Sequence, residues 1–185
     1  MAPLAPTGGQ TVGPFFAFGL PYAGGTELVS PYSPGAQLIS GVIYDGAGDP
    51  IPDALIEIWQ PRTDGSVPAE PGSINRDGAT FTGFGRAATE PDGSFRFWTL
   101  APGAEPGSNA APFLSAVVFA RGLLDRLHTR IYFPDDEAAL QGDPLLSSLD
   151  PERRATLIAR RVEEGRLMHD IHLQGESETV FLVFS

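Results

Sequence analysis

Neither cysteine nor lysine occurs among the 185 residues. Without thiols there is no disulfide, no thiolate metal site and no cysteine nucleophile. All 12 basic residues are therefore arginine, set against 23 acids, for a formal net charge of -11. That balance argues against nucleic acid as a partner, because a polyanion is repelled. It also repels a small anion wherever arginine does not reverse the field locally. Arginine is suited to that task, since its planar fork pairs with carboxylates in two places at once and is common at protein interfaces. No apolar run approaches the length of a membrane span. The opening MAPLAPTGGQTVGPFF has no basic segment followed by an apolar one, so it does not read as a signal peptide. The expectation is a cytoplasmic protein with no membrane partner.

What is abundant is turn chemistry. The 22 glycines and 18 prolines are spread along the chain, which suits many short strands separated by turns and spoils helix interiors. Strand patterns appear at Leu38–Tyr44, at Ala54–Trp59 with Ala54, Ile56 and Ile58 on one face, weakly at Thr80–Thr89, and at Ser94–Leu100. A hairpin follows. Ser115–Ala120 is nearly all apolar and reads as a strand buried on both faces. Leu127–Phe133 alternates, with His128, Arg130 and Tyr132 opposite Leu127, Thr129, Ile131 and Phe133. Asp135-Asp136-Glu137 predicts a short helical turn, and Asp150-Pro151 a helix running to about Arg161. Two closing strands are expected at Arg166–Leu173 and Thr179–Phe184. Residues 1–36, rich in Pro and Gly with scattered aromatics, read as an extended arm that packs on the core or on a second chain. Residues 37–185 read as one domain. The fold class predicted is all-β: a sandwich of mixed and antiparallel strands with an extended N-terminal arm and one or two short helices. A sandwich alone assigns no function, and a stand-alone transthyretin-like binding module is the alternative on these patterns.

Four stretches carry a more specific resemblance: Asp53–Gln60 (DALIEIWQ), Phe84–Gly103 (FGRAATEPDGSFRFWTLAPG), His128–Phe133 (HTRIYF) and Gln174–Phe184 (QGESETVFLVF). The chain resembles the intradiol ring-cleavage dioxygenases from about residue 10 to its end. Those enzymes hold a ferric ion with two tyrosines and two histidines, hard phenolates suiting Fe(III). The resemblance places the tyrosine positions at about Val67 and near Glu105, and the histidine positions at Phe113 and Ser115. None of the four matches the required donor. The expectation is that this chain binds no metal and carries no catalytic residue. His169, Asp170 and His172 do not substitute, because strand positions three apart point to opposite faces. His128 reads as a structural, hydrogen-bonded histidine.

The resemblance extends to family members that divide the work between two related chains, one keeping the iron and one losing it. It implies that this chain is the iron-free subunit of such a hetero-oligomer in aromatic catabolism. Fe(III) then belongs to a homologous iron-bearing beta subunit, and a small aromatic substrate sits in a shared pocket. Thr11, Gly13, Pro14 and Phe15, within TVGPFF, match the segment that roofs that pocket, and Arg130 matches an arginine that offsets the substrate carboxylate. The family often has tyrosine where Phe15 stands, so a ring contact persists here without a hydroxyl. Outside this context Gly13-Pro14 would read as a turn and Arg130 as a surface arginine.

Overall fold

Nine strands and four short helices are present in the computed structural model, which describes residues 7–70, 74 and 76–184. The first six residues of the expected arm, residues 71–73 and 75 between the expected strands at Ala54–Trp59 and Thr80–Thr89, and residue 185 lie outside the described residues. In chain order the strands are β1 (Gln37–Tyr44), β2 (Leu55–Trp59), β3 (Phe84–Ala88), β4 (Ser94–Thr99), β5 (Phe113–Phe119), β6 (Leu127–Tyr132), β7 (Arg160–Glu163), β8 (Arg166–Met168) and β9 (Ile171–His172). The helices are α1 (Phe16–Gly19), α2 (Glu137–Gly142), α3 (Pro144–Ser148) and α4 (Pro151–Ala155).

Two sheets face each other. One has the order β4-β1-β8-β7 with β9 continuing beside β1, and it is mixed, because β8 and β9 run parallel to β1. The other, β3-β2-β5-β6, is antiparallel throughout. Period-two alternation supplies the core: Ile39, Ile43, Phe95, Phe97 and Leu167 from the first sheet meet Ile56, Ile58, Leu114, Ala116 and Ile131 from the second. Each large side chain buried there stabilises the fold by about 1.5–3 kcal/mol.

A smaller cluster covers part of the outer face of the antiparallel sheet. Tyr132, Leu140, Leu146, Leu157 and Val180 pack together there. Each of α2, α3 and α4 opens on an aspartate whose carboxylate accepts a backbone N–H three residues on: Asp136 from Ala139, Asp143 from Leu146 and Asp150 from Arg153, all at 2.9 Å.

Several expectations need correction. The helix opening at Asp150-Pro151 ends at Ala155, not Arg161, because Leu157 and Ala159 turn into the two clusters while Arg160 and Arg161 enter β7. Arg166–Leu173 is two strands, broken where His169 is buried and Asp170 accepts the Val42 N–H at 2.9 Å. Thr179–Phe184 forms no strand, making only an isolated bridge between Leu182 and His128. The weak strand at Thr80–Thr89 shrinks to β3. Among the described residues there are four short helices where one or two were expected. Finally, β5 is buried on one face only, in strict alternation. On its other face, Phe113 and Ser115 line a cleft.

Candidate functional site

The β2, β5 and β6 register carries Trp59, Ser115 and Arg130 across the sheet in one row. Trp59 is opposite Ser115, and Ser115 is opposite Arg130. One step along, Phe113 faces Tyr132; one step the other way, Val117 faces His128. All of these point away from the sandwich core. Over them, the loops after β2 and β4 close a cleft of about 330 Å³. It is mostly apolar, with one cation on its wall.

Two glycines set how the covering loops cross. A Cβ on Gly103 would lie 2.4 Å from the Thr63 carbonyl oxygen and 2.5 Å from the Gly65 nitrogen, so backbone runs against backbone. Gly65 has φ +83°, a conformation that disfavours other residues. Gly103→Ala is expected to cost about 1–3 kcal/mol by forcing the loops apart. Urea unfolding of the variant checks this, and an unchanged midpoint would show that the loops tolerate separation.

Arg130 is half-buried and fixed from two sides. Its guanidinium carbon lies 4.0 Å from the centre of the Phe113 ring, a stacked cation–π contact. Its Nη1 donates to the Tyr132 hydroxyl at 2.9 Å. That hydroxyl in turn donates to the Asp143 carboxylate, at 3.2 Å to Oδ2. Asp143 is fully buried and also accepts from the Ala111 and Leu146 backbone N–H groups, both at 2.9 Å. Burial, first of all, pushes the Tyr132 phenol up to about 12, so it stays protonated and keeps donating. Among the described residues Arg130 forms no ion pair.

His128 is half-buried on the same wall. Its Nε2 accepts from Arg126 Nε at 3.0 Å. Its pKa is lowered, chiefly by burial and then by the Arg126 charge, so the imidazole is neutral at pH 7. Phe184 meets it edge-on, with ring centres 5.1 Å apart.

The four positions matched to the family's iron ligands, Val67, Glu105, Phe113 and Ser115, all line this one cleft. They do not suit a ferric ion: an isopropyl group and a phenyl ring offer no lone pair, and the hydroxyl and the exposed carboxylate replace an imidazole and a phenolate. Among the described residues no group of three or more His, Asp and Glu could hold a metal ion. His169 is buried with Nε2 unpartnered among the described residues, while His172 stacks on Tyr44 at 4.8 Å. They make no triad with Asp170.

The expected substrate-contacting residues fall in two places. Arg130 lines the cleft, whereas Thr11, Gly13, Pro14 and Phe15 do not. The arm lies against the β5–β6 turn instead, where Thr11 Oγ1 accepts the Gly122 N–H at 2.7 Å and Phe16 packs on Phe119 with centres 5.3 Å apart. Phe15 and Phe18 are 81% and 78% exposed, and a Cβ on Gly13 would meet nothing within 4 Å among the described residues. Sequence patterns missed the Tyr132–Asp143 pair. Its one local signal was Asp143-Pro144, a cap followed by Pro that repeats the Asp150-Pro151 pattern.

Residues 27–175 match the protein family described as Dioxygenase. The chain is 38% identical to the protocatechuate 3,4-dioxygenase alpha chain of Burkholderia cepacia, over 98% of each. It is 29% identical to the beta chain from the same organism, covering 77% of this chain and 66% of that one. Among solved structures it resembles the dioxygenase domain of a carbohydrate-binding protein fusion from Streptomyces sp. SirexAA-E. That likeness has TM-score 0.56 and 27% identity, over 81% of this chain and 87% of that one.

Proposed function

The chain belongs to the intradiol ring-cleavage dioxygenase family, and on that premise we propose that it is the iron-free alpha subunit of a protocatechuate 3,4-dioxygenase. In this reading the complex adds both atoms of O₂ to 3,4-dihydroxybenzoate and releases 3-carboxy-cis,cis-muconate in the cytoplasm. Fe(III) is held by a homologous beta subunit, and this chain contributes interface, pocket wall and positioning. One observation carries the proposal: Val67, Glu105, Phe113 and Ser115 converge on one cleft, where the family's donors would be, and do not suit Fe(III). The whole-length likeness to an alpha chain supports it.

Residues 1–36 act as an arm on the partner as well as on the core of 37–185. Thr11, Gly13, Pro14 and Phe15 roof the partner's substrate pocket, and Arg130 meets the substrate carboxylate. The exposed Phe15 and Phe18 rings are the arm's apolar contribution to the interface.

Co-expression with an iron-bearing beta chain tests the pairing: the two are expected to co-purify and take up oxygen with 3,4-dihydroxybenzoate. Gly13→Val tests the roof. Among the described residues nothing opposes a side chain there, so its own melting temperature should stay put while the apparent KM of the complex rises, on the order of tenfold. An unchanged KM would remove Gly13 from the pocket.

A further inference from the structure

We propose that the cleft over β2, β5 and β6 is a binding site for an aromatic monocarboxylate, complete within this chain and independent of metal. The inference rests on reading Arg130 as a carboxylate receptor, and goes beyond it by giving that receptor a pocket of its own.

The cleft's volume of about 330 Å³ falls in the range of small-molecule sites. Trp59, Phe113, Leu182 and Phe184 give it flat apolar walls that match a ring. Trp59 keeps 38% of its surface exposed, although its strand is interior to the sheet. An aromatic surface left open at that place is free to stack against a planar ligand.

Charge selects the anion. Arg130 is the one cation on the wall, and among the described residues it forms no ion pair. It is also held still. Phe113 stacks on one side of the guanidinium, and Tyr132, anchored by buried Asp143, accepts from Nη1. A preorganised fork gives up little freedom when a carboxylate arrives. The remaining ionisable groups set an upper limit: Glu105 is exposed at the rim, and His128 is neutral. A single arginine facing an acid suits one negative charge, so a dianion such as a phosphate ester or a dicarboxylate is disfavoured.

The probe is benzoate, which lacks the vicinal hydroxyls that chelate iron, with benzamide as its neutral counterpart. They are titrated into the full chain purified without a partner, following indole fluorescence and heat. Benzoate should bind saturably, and benzamide on the order of tenfold more weakly, the difference expected of a charge-assisted contact. Arg130→Ala should abolish that difference, and Ser115→Phe should block both ligands by filling the cleft while leaving the arginine in place. Absence of saturable benzoate binding to the wild-type chain overturns the proposal, as does equal affinity for the two ligands. If Arg130→Ala raises the KM of the two-chain complex while the chain alone binds no benzoate, the inference fails and the interface reading of Arg130 stands. If the KM is also unchanged, both fail for Arg130, and co-purification with the beta chain still judges the subunit assignment.

Discussion

Asp143→Ala is expected to lower the unfolding free energy by about 3–5 kcal/mol, among the largest effects of any single substitution away from the sandwich core. Three donors lose their acceptor together: the Ala111 and Leu146 backbone N–H groups and the Tyr132 hydroxyl. The site is fully buried, so water does not replace the carboxylate, and each stranded donor costs about 1 kcal/mol or more. One of the three, the Leu146 N–H, is also the capping bond of α3, so the start of that helix loosens with it. Asp143→Asn keeps one acceptor oxygen and should lose about half as much. Urea unfolding of the two variants measures both, and a drop under about 1 kcal/mol for Ala would mean that the cluster relaxes around the gap. In the alanine variant Tyr132 no longer has its anchor, and Arg130 loses its support with it.

The second large effect is on pH. His169 is buried, its Nε2 has no hydrogen-bond partner among the described residues, and burial lowers its pKa from 6.5 to about 4. The neutral form is thus favoured in the folded state, and the unfolded chain binds the proton more readily. The stability this contributes is fully present above pH 6.5 and is lost as pH falls towards 4. The total is about 3 kcal/mol, since each pH unit of displacement corresponds to about 1.4 kcal/mol. His169→Leu should flatten that acid limb without shifting the behaviour above pH 7. The urea midpoint followed between pH 7 and pH 4 decides it, and an equally steep decline in the variant would assign the limb to carboxylates elsewhere.

Sequence patterning made the sandwich legible where alternation is clean. In β2 and β4, Ile56, Ile58, Phe95 and Phe97 declare their inward face because polar or partly exposed residues separate them. In β5 the same logic misled. Phe113 and Phe119 are apolar yet point outward, Phe113 onto the cleft and Phe119 against Phe16 of the arm, rather than into the core. A residue's type reports that it leaves water, not which of two apolar surroundings receives it. Tyr132 shows the same limit, since its burial depends on helices folding back over the sheet. The overlong helix beyond Ala155 had helical composition, but tertiary pairing of Tyr132 with Leu157 and Ala159 backbone groups, both at 2.9 Å, holds that stretch extended.

The cleft itself was legible only through resemblance. Val67 and Glu105 carry no chemical signal in their loops, and it took the family pattern to mark them as places where donors are missing. Their convergence with Phe113 and Ser115 is a fact of the fold. The support behind Arg130 was invisible from the sequence, because Asp143 and Tyr132 lie 11 residues apart on a helix cap and a strand.

The most direct test of the central claim is the iron content of this chain, expressed alone in iron-replete medium, set beside its complex with a beta chain. The account predicts no stoichiometric iron and no oxygen uptake with 3,4-dihydroxybenzoate for the chain alone, and one iron per pair with ring cleavage for the complex. Tightly held iron at one per chain, or turnover of the catechol by the isolated chain, would contradict it.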